Sequence, residues 1–243
     1  MEESKLNTNF IECINALDIR HFKRIADCLE DCTARELYID SYTCLRRFTQ
    51  DVIKRPTSDA KSTITALAHM VYGWMPTMLD SIDYDGTNFN DLFDEFKSNR
   101  NVDIDKVRTL TNGSVVGASK LLHFVHPDKY PIFDSRVYRG IIRIYNIIYD
   151  KKIPIDHDIA VPNLSKNTDF YKEYQTKLNK IADTENLGEL KEKLKKKGYI
   201  NKDASDIRAL EVSLYTIGAG LPKENNSQKE SINKLMERLS SNK

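Results

Sequence analysis

The sequence predicts a mainly α-helical, multi-helix globular protein with little or no β structure, and three observations carry that reading. Breakers are scarce: the 243 residues hold only 9 Gly and 7 Pro, too few for a many-turned β-sandwich. Apolar residues recur at the spacing of an amphipathic helix along most of the chain. Hydrophobic residues make up 40% and charged residues 30%, a balance that builds a core under a solvated surface rather than a disordered chain.

In order along the chain, residues 8–32 place Phe10, Ile11, Ile14, Leu17, Ile19, Phe22, Ile25, Ala26 and Leu29 at helical spacing. A helix over 34–53 follows, with Leu37, Leu45 and Phe48 expected to face inward. Pro56-Thr57-Ser58 breaks the chain and supplies capping hydroxyls, and the next helix covers 59–72 through Ile64, Leu67, Ala68 and Val71. Gly73-Trp74-Met75-Pro76 interrupts it. The lone Trp74 is either an anchor between helices or a platform on which a base stacks. A short helix is expected over 89–96.

Residues 102–149 are the most informative. They read as a short helix over 103–110, a turn at Thr111-Asn112-Gly113-Ser114 and a helix over 115–124. An extended segment follows through Pro127 and Pro131, and Asp134 then caps a helix that runs to about residue 149. A polar loop over 150–167 holds Pro154 and Pro162 and has room for short β pieces. Helices resume over 168–183, 187–197 and 203–217, the last ended by Gly218 and then Pro222. Leu210, Leu214 and Ile217 share one face, which is expected to dock on the helix that Asp134 opens. The tail from Lys223 is polar, with a weakly amphipathic stretch over 232–239. The expected division is an N-terminal helical part over 1–100, a second helical part over 101–223 and a tail over 224–243, or else one compact unit.

No apolar run approaches the roughly 18 residues of a membrane span. The acidic, polar start is not a signal peptide, so a cytoplasmic protein without membrane contact is expected. The cysteines, Cys13, Cys28, Cys32 and Cys44, then read as reduced thiols. Their spacing lacks the paired motif of a zinc ribbon, so small core residues are expected there, with no metal and no cofactor. The net charge of +1 is unevenly spread: residues 1–104 carry 12 basic and 18 acidic side chains, and residues 105–150 carry 7 and 4. An anionic ligand at the basic part would suit that asymmetry, as would ordinary variation on solvated faces.

The residues with chemical promise lie in this basic part. Gly117 and Ser119 precede Lys120 on one helix, and Phe133-Asp134-Ser135-Arg136-Val137-Tyr138-Arg139 opens the next. This order of helix, glycine-containing hairpin, lysine-bearing helix, proline-containing connection and aspartate-capped helix resembles the helix-hairpin-helix DNA glycosylase superfamily. The resemblance covers about residues 102–149. It implies a DNA-binding base-excision glycosylase, with Lys120 and Asp134 as catalytic residues and possible Schiff-base lyase chemistry. It further implies Gly117, Ser119, Arg136 and Arg139 as contacts to DNA, with amides at the hairpin and the helix N-termini holding phosphates. The sequence departs from the family's glycine-rich hairpin, since Gly117 sits one position off, and the 14-residue step from Lys120 to Asp134 is shorter than the family's.

Each of these residues also has a plainer reading. Asp134 serves as a helix cap, Lys120 as a snorkelling lysine, His123 and His126 as structural or surface groups, and the two arginines as partners of acidic side chains. The run Lys191-Glu192-Lys193-Leu194-Lys195-Lys196-Lys197 is either a nucleic-acid patch or the solvated end of a helix. The alternative function is a non-enzymatic helical module that binds nucleic acid or a protein partner. The oligomeric state is not legible.

Overall fold

The computed structural model describes residues 2–32, 35–56, 59–75, 77–98, 101–151, 153, 166–218 and 226–241. They form twelve α-helices, and no strand occurs among the described residues. The helices are α1 (Glu2–Asn15), α2 (Ile19–Cys28), α3 (Arg35–Lys54), α4 (Ala60–Trp74), α5 (Phe89–Lys97), α6 (Ile104–Arg108), α7 (Val115–Val125), α8 (Ser135–Tyr149), α9 (Thr168–Thr184), α10 (Gly188–Lys196), α11 (Asp206–Ile217) and α12 (Asn226–Ser241). The expected β pieces fall almost entirely on residues outside the described set.

Local chemistry sets most boundaries. The apolar run over 8–32 is split, because Asp18 closes a capping box with His21 and starts a new helix. Asp59 caps α4 by accepting from the Ser62 amide at 2.8 Å, and Thr57 and Ser58 lie outside the described residues. Asn88, Ser114, Asn167 and Ser205 cap α5, α7, α9 and α11 in the same way.

The core runs from Phe10 on α1 to Leu239 on α12 without a break at residue 100. Helix α7 is its axis: Val115, Ala118, Leu121, Leu122 and Phe124 are buried, and α3, α4 and α6 pack around it. The inward face of α3 differs from the expected one. Tyr42 and Ile53 are buried, Leu45 is half-buried, and Phe48 is 54% exposed because it lies on the opposite side. The C-terminal helix is anchored by Leu235 and Leu239, both buried, and by Arg238, which donates to Cys28 O at 3.2 Å and pairs with Glu30 at 2.8 Å.

Helix α8 packs on α11 at close range, the docking expected from Leu210, Leu214 and Ile217. Gly140 and Gly218 make it possible. A Cβ on Gly140 would lie 2.1 Å from Leu214 O, and one on Gly218 would lie 1.7 Å from Arg136 O. Gly218 ends α11 with φ −82°, not in the left-handed region, so glycine is required there by backbone approach rather than by helix termination. No helix among the described residues is long and apolar enough to cross a membrane.

Candidate functional site

The candidate site is built on α7, the connection after it, and α8. Ahead of it, Asn112 and Gly113 turn the α6–α7 hairpin with φ of 55° and 64°. The Asn112 side chain accepts from the Asp80 and Ser81 amides and donates to Met78 O, which ties the hairpin to residues 78–81. The amides of Leu110, Thr111, Gly113 and Ser114 bond to carbonyls of the hairpin itself, and that of Asn112 bonds to Ser81 O at 3.2 Å. These five hairpin donors are engaged inside the protein.

The connection over 126–134 is held from several sides. His123 Nδ1 lies 2.7 Å from Tyr130 O, Tyr174 donates to Ile132 O at 3.2 Å, and the Tyr130 hydroxyl accepts from the Val102 amide at 2.6 Å. Ser119 has the most direct effect. Its Oγ accepts from the Phe133 amide at 3.1 Å and donates toward Val116 O and Phe133 O. A bond from the residue before Lys120 to the residue before Asp134 fixes the two side chains side by side.

Lys120 Nζ stands 3.9 Å from Asp134 Oδ2, with only 13% and 15% of the two side chains exposed. The carboxylate is divided. Its Oδ1 accepts from the Arg136 and Val137 amides at 2.9 and 3.0 Å and so caps α8, while Oδ2 faces the amine. The 3.9 Å separation is an ion pair without a hydrogen bond. Trp74 roofs the amine, its ring centroid 5.8 Å from Nζ. Burial lowers the Lys120 pKa below the ordinary lysine value, and the charges of Asp134 and Glu211 oppose that shift.

Glu211 and Arg208 were not expected there. They lie on α11, form a buried ion pair, and share the electrostatic environment of Lys120. Burial pushes the Glu211 carboxyl up to about 7, against the pull of Arg208 and with a push from Asp134. Arg208 lies 4.4 Å from the Tyr42 ring centroid. The Tyr42 hydroxyl is 2.7 Å from His123 Nε2. Since Tyr130 O can only accept, His123 carries its proton on Nδ1 and accepts from Tyr42 at Nε2. Burial then holds the imidazole neutral, with its pKa lowered to about 3. His123 is thus a structural group, one helical turn from Lys120 on α7.

The other sequence-derived contacts are mostly turned inward. Gly117 is buried, its amide accepted by Ser114 Oγ at 3.3 Å, and a Cβ there would lie 2.6 Å from the Tyr72 hydroxyl oxygen. Ser119 is fully buried and Arg139 is 2% exposed. Arg139 Nε donates to Gly218 O at 2.9 Å and Arg143 to Ile217 O at 2.6 Å, so both satisfy carbonyls at the end of α11. Of the four residues expected to contact DNA, only Arg136 is part-exposed. It donates to the Tyr215 hydroxyl at 2.5 Å and stands 4.8 Å from that ring's centroid.

Four of the five lysines over 191–197 are engaged as well. Lys191 pairs with Asp206 at 2.9 Å, Lys193 with Asp27 and Glu189 at 2.5 and 2.8 Å, and Lys195 with Glu192 at 3.3 Å. Lys197 donates to Ala26, Asp27 and Leu29 carbonyls at the end of α2. Cys13 and Cys28 are buried, Cys32 is half-buried and Cys44 is exposed, all as free thiols. No group of three or more potential metal ligands occurs among the described residues. No protein-family model, curated protein or solved structure matches the chain.

Proposed function

We propose that the chain is a DNA-glycosylase-like protein in which Lys120 is the amine nucleophile and Asp134 the carboxylate that stabilises positive charge at the sugar. The observation that carries this reading is the Lys120–Asp134 pair: a desolvated amine 3.9 Å from a carboxylate oxygen that is not engaged in the cap. An amine attacks only when neutral, and burial of Lys120 favours the neutral form. In the proposed step the Nζ lone pair bonds to C1′ of a nucleotide. The glycosidic bond breaks, and the base leaves with its electron pair and takes a proton. Opening of the sugar ring then gives an imine with Lys120. Asp134 Oδ2 lowers the barrier by attracting the charge that builds on C1′ and the ring oxygen.

The test is borohydride trapping on single- and double-stranded DNA containing an abasic site, with base release followed in parallel. A covalent adduct that Lys120→Met abolishes is expected. Absence of both adduct and base release across damaged and modified bases would overturn the reading.

A second reading is favoured by the engaged hairpin amides and the inward-facing Arg139: Lys120 and Asp134 form an ion pair that only joins α7 to α8, and the protein is a binding module. In that case Lys120→Met lowers stability and leaves every DNA readout unmoved.

A further inference from the structure

The pair Lys120–Asp134 does not account for a second carboxylate. Glu211 is 1% exposed, on a helix whose buried residues are otherwise mostly apolar: Ile207, Leu210, Leu214 and Ile217 are all buried, with Ser213 the other buried polar side chain. An acid is costly to bury, and a Leu at this position would pack without that cost. Its placement is nevertheless fixed from three sides. Arg208, one turn earlier on α11, is its ion-pair partner. Arg208 is held over Tyr42 of α3, and Tyr42 is bonded to His123, one turn beyond Lys120 on α7. Farther along α11, Tyr215 accepts from Arg136, two residues after Asp134. Glu211 therefore sits between two contacts, one joining α11 to α3 and through Tyr42 to α7, the other joining α11 to α8 two residues from Asp134.

We propose that Glu211 is a positioning residue for Lys120: held by Arg208, it supplies the second negative charge that sets the amine's protonation state. The charged and titratable groups around the two are Asp134 and Arg136 from α8, Arg208 and Tyr215 from α11, Tyr42 and Arg46 from α3, Tyr174 from α9 and His123 from α7. The carboxylates that act on Lys120 are Asp134 and Glu211, while Asp128 acts on Tyr42, so Glu211 is the counter-charge to Lys120 beyond its direct partner. With Glu211 ionised, the ammonium is favoured. With Glu211 protonated, the amine sheds its proton more readily. Glu211 titrates at about 7, so this coupling operates near neutrality. Its consequence for catalysis rests on the reading of Lys120 as nucleophile, but the coupling is measurable without DNA.

The experiment is competitive reductive methylation of the full chain across pH, with Lys120 read by mass spectrometry. The midpoint of its profile reports charge, and the high-pH plateau reports exposure. Glu211→Gln is expected to lower the midpoint by at least about half a unit, roughly a threefold rise in free amine below it. Glu211→Asp should return the midpoint toward wild type. A merely structural role gives the opposite sign, because a loosened core rehydrates Lys120 and raises the midpoint. An unchanged or raised midpoint overturns the proposal.

If Glu211→Gln does not fold, the reciprocal measurement decides. Carboxyl-detected NMR should find one glutamate titrating near 7 in the wild type, and Lys120→Met should move that midpoint up. A midpoint that stays in place overturns the proposal. Neither arm contains DNA, so absence of base release leaves this test intact, and a failed coupling leaves base release to its own assay.

Discussion

In α10, Lys191, Lys193 and Lys195 each reach a carboxylate at the protein surface, with 31 to 45% of each lysine side chain still in water. In the α7–α8–α11 cluster, Lys120 and Arg208 face Asp134 and Glu211 with no side chain of the four more than 15% exposed. The sequence displays the first group as a conspicuous run and scatters the second over 92 positions, from 120 to 211. Yet the two groups differ physically in the opposite sense. Water screens the surface pairs and each adds little, whereas the buried charges depend on one another, so removing one leaves another uncompensated.

That dependence is sharpest under acid. His123 is buried neutral with its pKa lowered from 6.5 to about 3. Below pH 6.5 the unfolded chain takes a proton that the folded one refuses. The stabilisation is present above 6.5 and lost as pH falls toward 3, to a limit of about 5 kcal/mol. Glu211 acts in reverse: its pKa is raised to about 7, so its contribution is present at acid pH and lost as pH rises through that value. The two overlap, and His123→Gln separates them. Denaturant unfolding from pH 7 to 4 should show the wild type losing stability relative to this variant as pH falls. Parallel pH curves would show that His123 titrates normally.

Removing one member of the Arg208–Glu211 pair should cost about 3–5 kcal/mol, unequally. Glu211→Leu leaves a guanidinium that cannot shed its charge, whereas Arg208→Met leaves a carboxyl that takes up a proton near neutrality. At pH 7, urea midpoints should therefore fall further for Glu211→Leu. The double variant should be more stable than the sum of the two losses. Equal single losses that simply add would place the residues outside a shared charge network.

The candidate site was half legible, and the division follows from sequence distance. Asp134 announces itself as a cap because a cap is a local event, and the start of α8 follows from it. The nearness of Lys120 and Asp134 is also local, since a short connection with two prolines limits how far the chain can stray. Glu211 and Arg208 were hidden. Leu210, Leu214 and Ile217 make α11 read as core, while the residues that give Arg208 and Glu211 their meaning, Tyr42, His123 and Lys120, lie far upstream. Charge counting is blind to which side chains turn inward. The basic excess over 105–150 includes Arg139 and Arg143, which turn inward to the last carbonyls of α11. Phe48 shows the limit of periodicity: with apolar residues on more than one side of α3, spacing alone does not select the buried face.

Asp134→Asn divides the functions of one side chain. Asn caps helices about as well as Asp, so the bonds from the Arg136 and Val137 amides persist and the cap should lose less than about 1 kcal/mol. The charge facing Lys120 is lost, and with it the proposed stabilisation of the sugar cation. Base release should collapse, the stability that is lost should come from the uncompensated charge of Lys120 rather than from the cap, and binding to DNA should hold or tighten as a negative charge disappears. Base release at the wild-type rate would reduce Asp134 to a cap.

The smallest expected effect lies in α10. Lys195 is 45% exposed and pairs with Glu192 at 3.3 Å across less than one helical turn. Such a pair contributes a few tenths of a kcal/mol and is weakened by salt. Lys195→Ala should therefore leave the unfolding midpoint nearly in place, since alanine also returns some helix propensity. The contrast with the buried cluster is testable in one buffer series. Raising salt from 0.05 to 0.5 M, a range of roughly 14 to 4 Å in Debye length, should erase the difference between Lys195→Ala and wild type. The same change should leave most of the Glu211→Leu deficit, because counter-ions do not reach charges enclosed by α3, α7 and α11. If salt shrinks both deficits alike, the cluster is open to solvent, and the desolvation that favours a neutral Lys120 is absent.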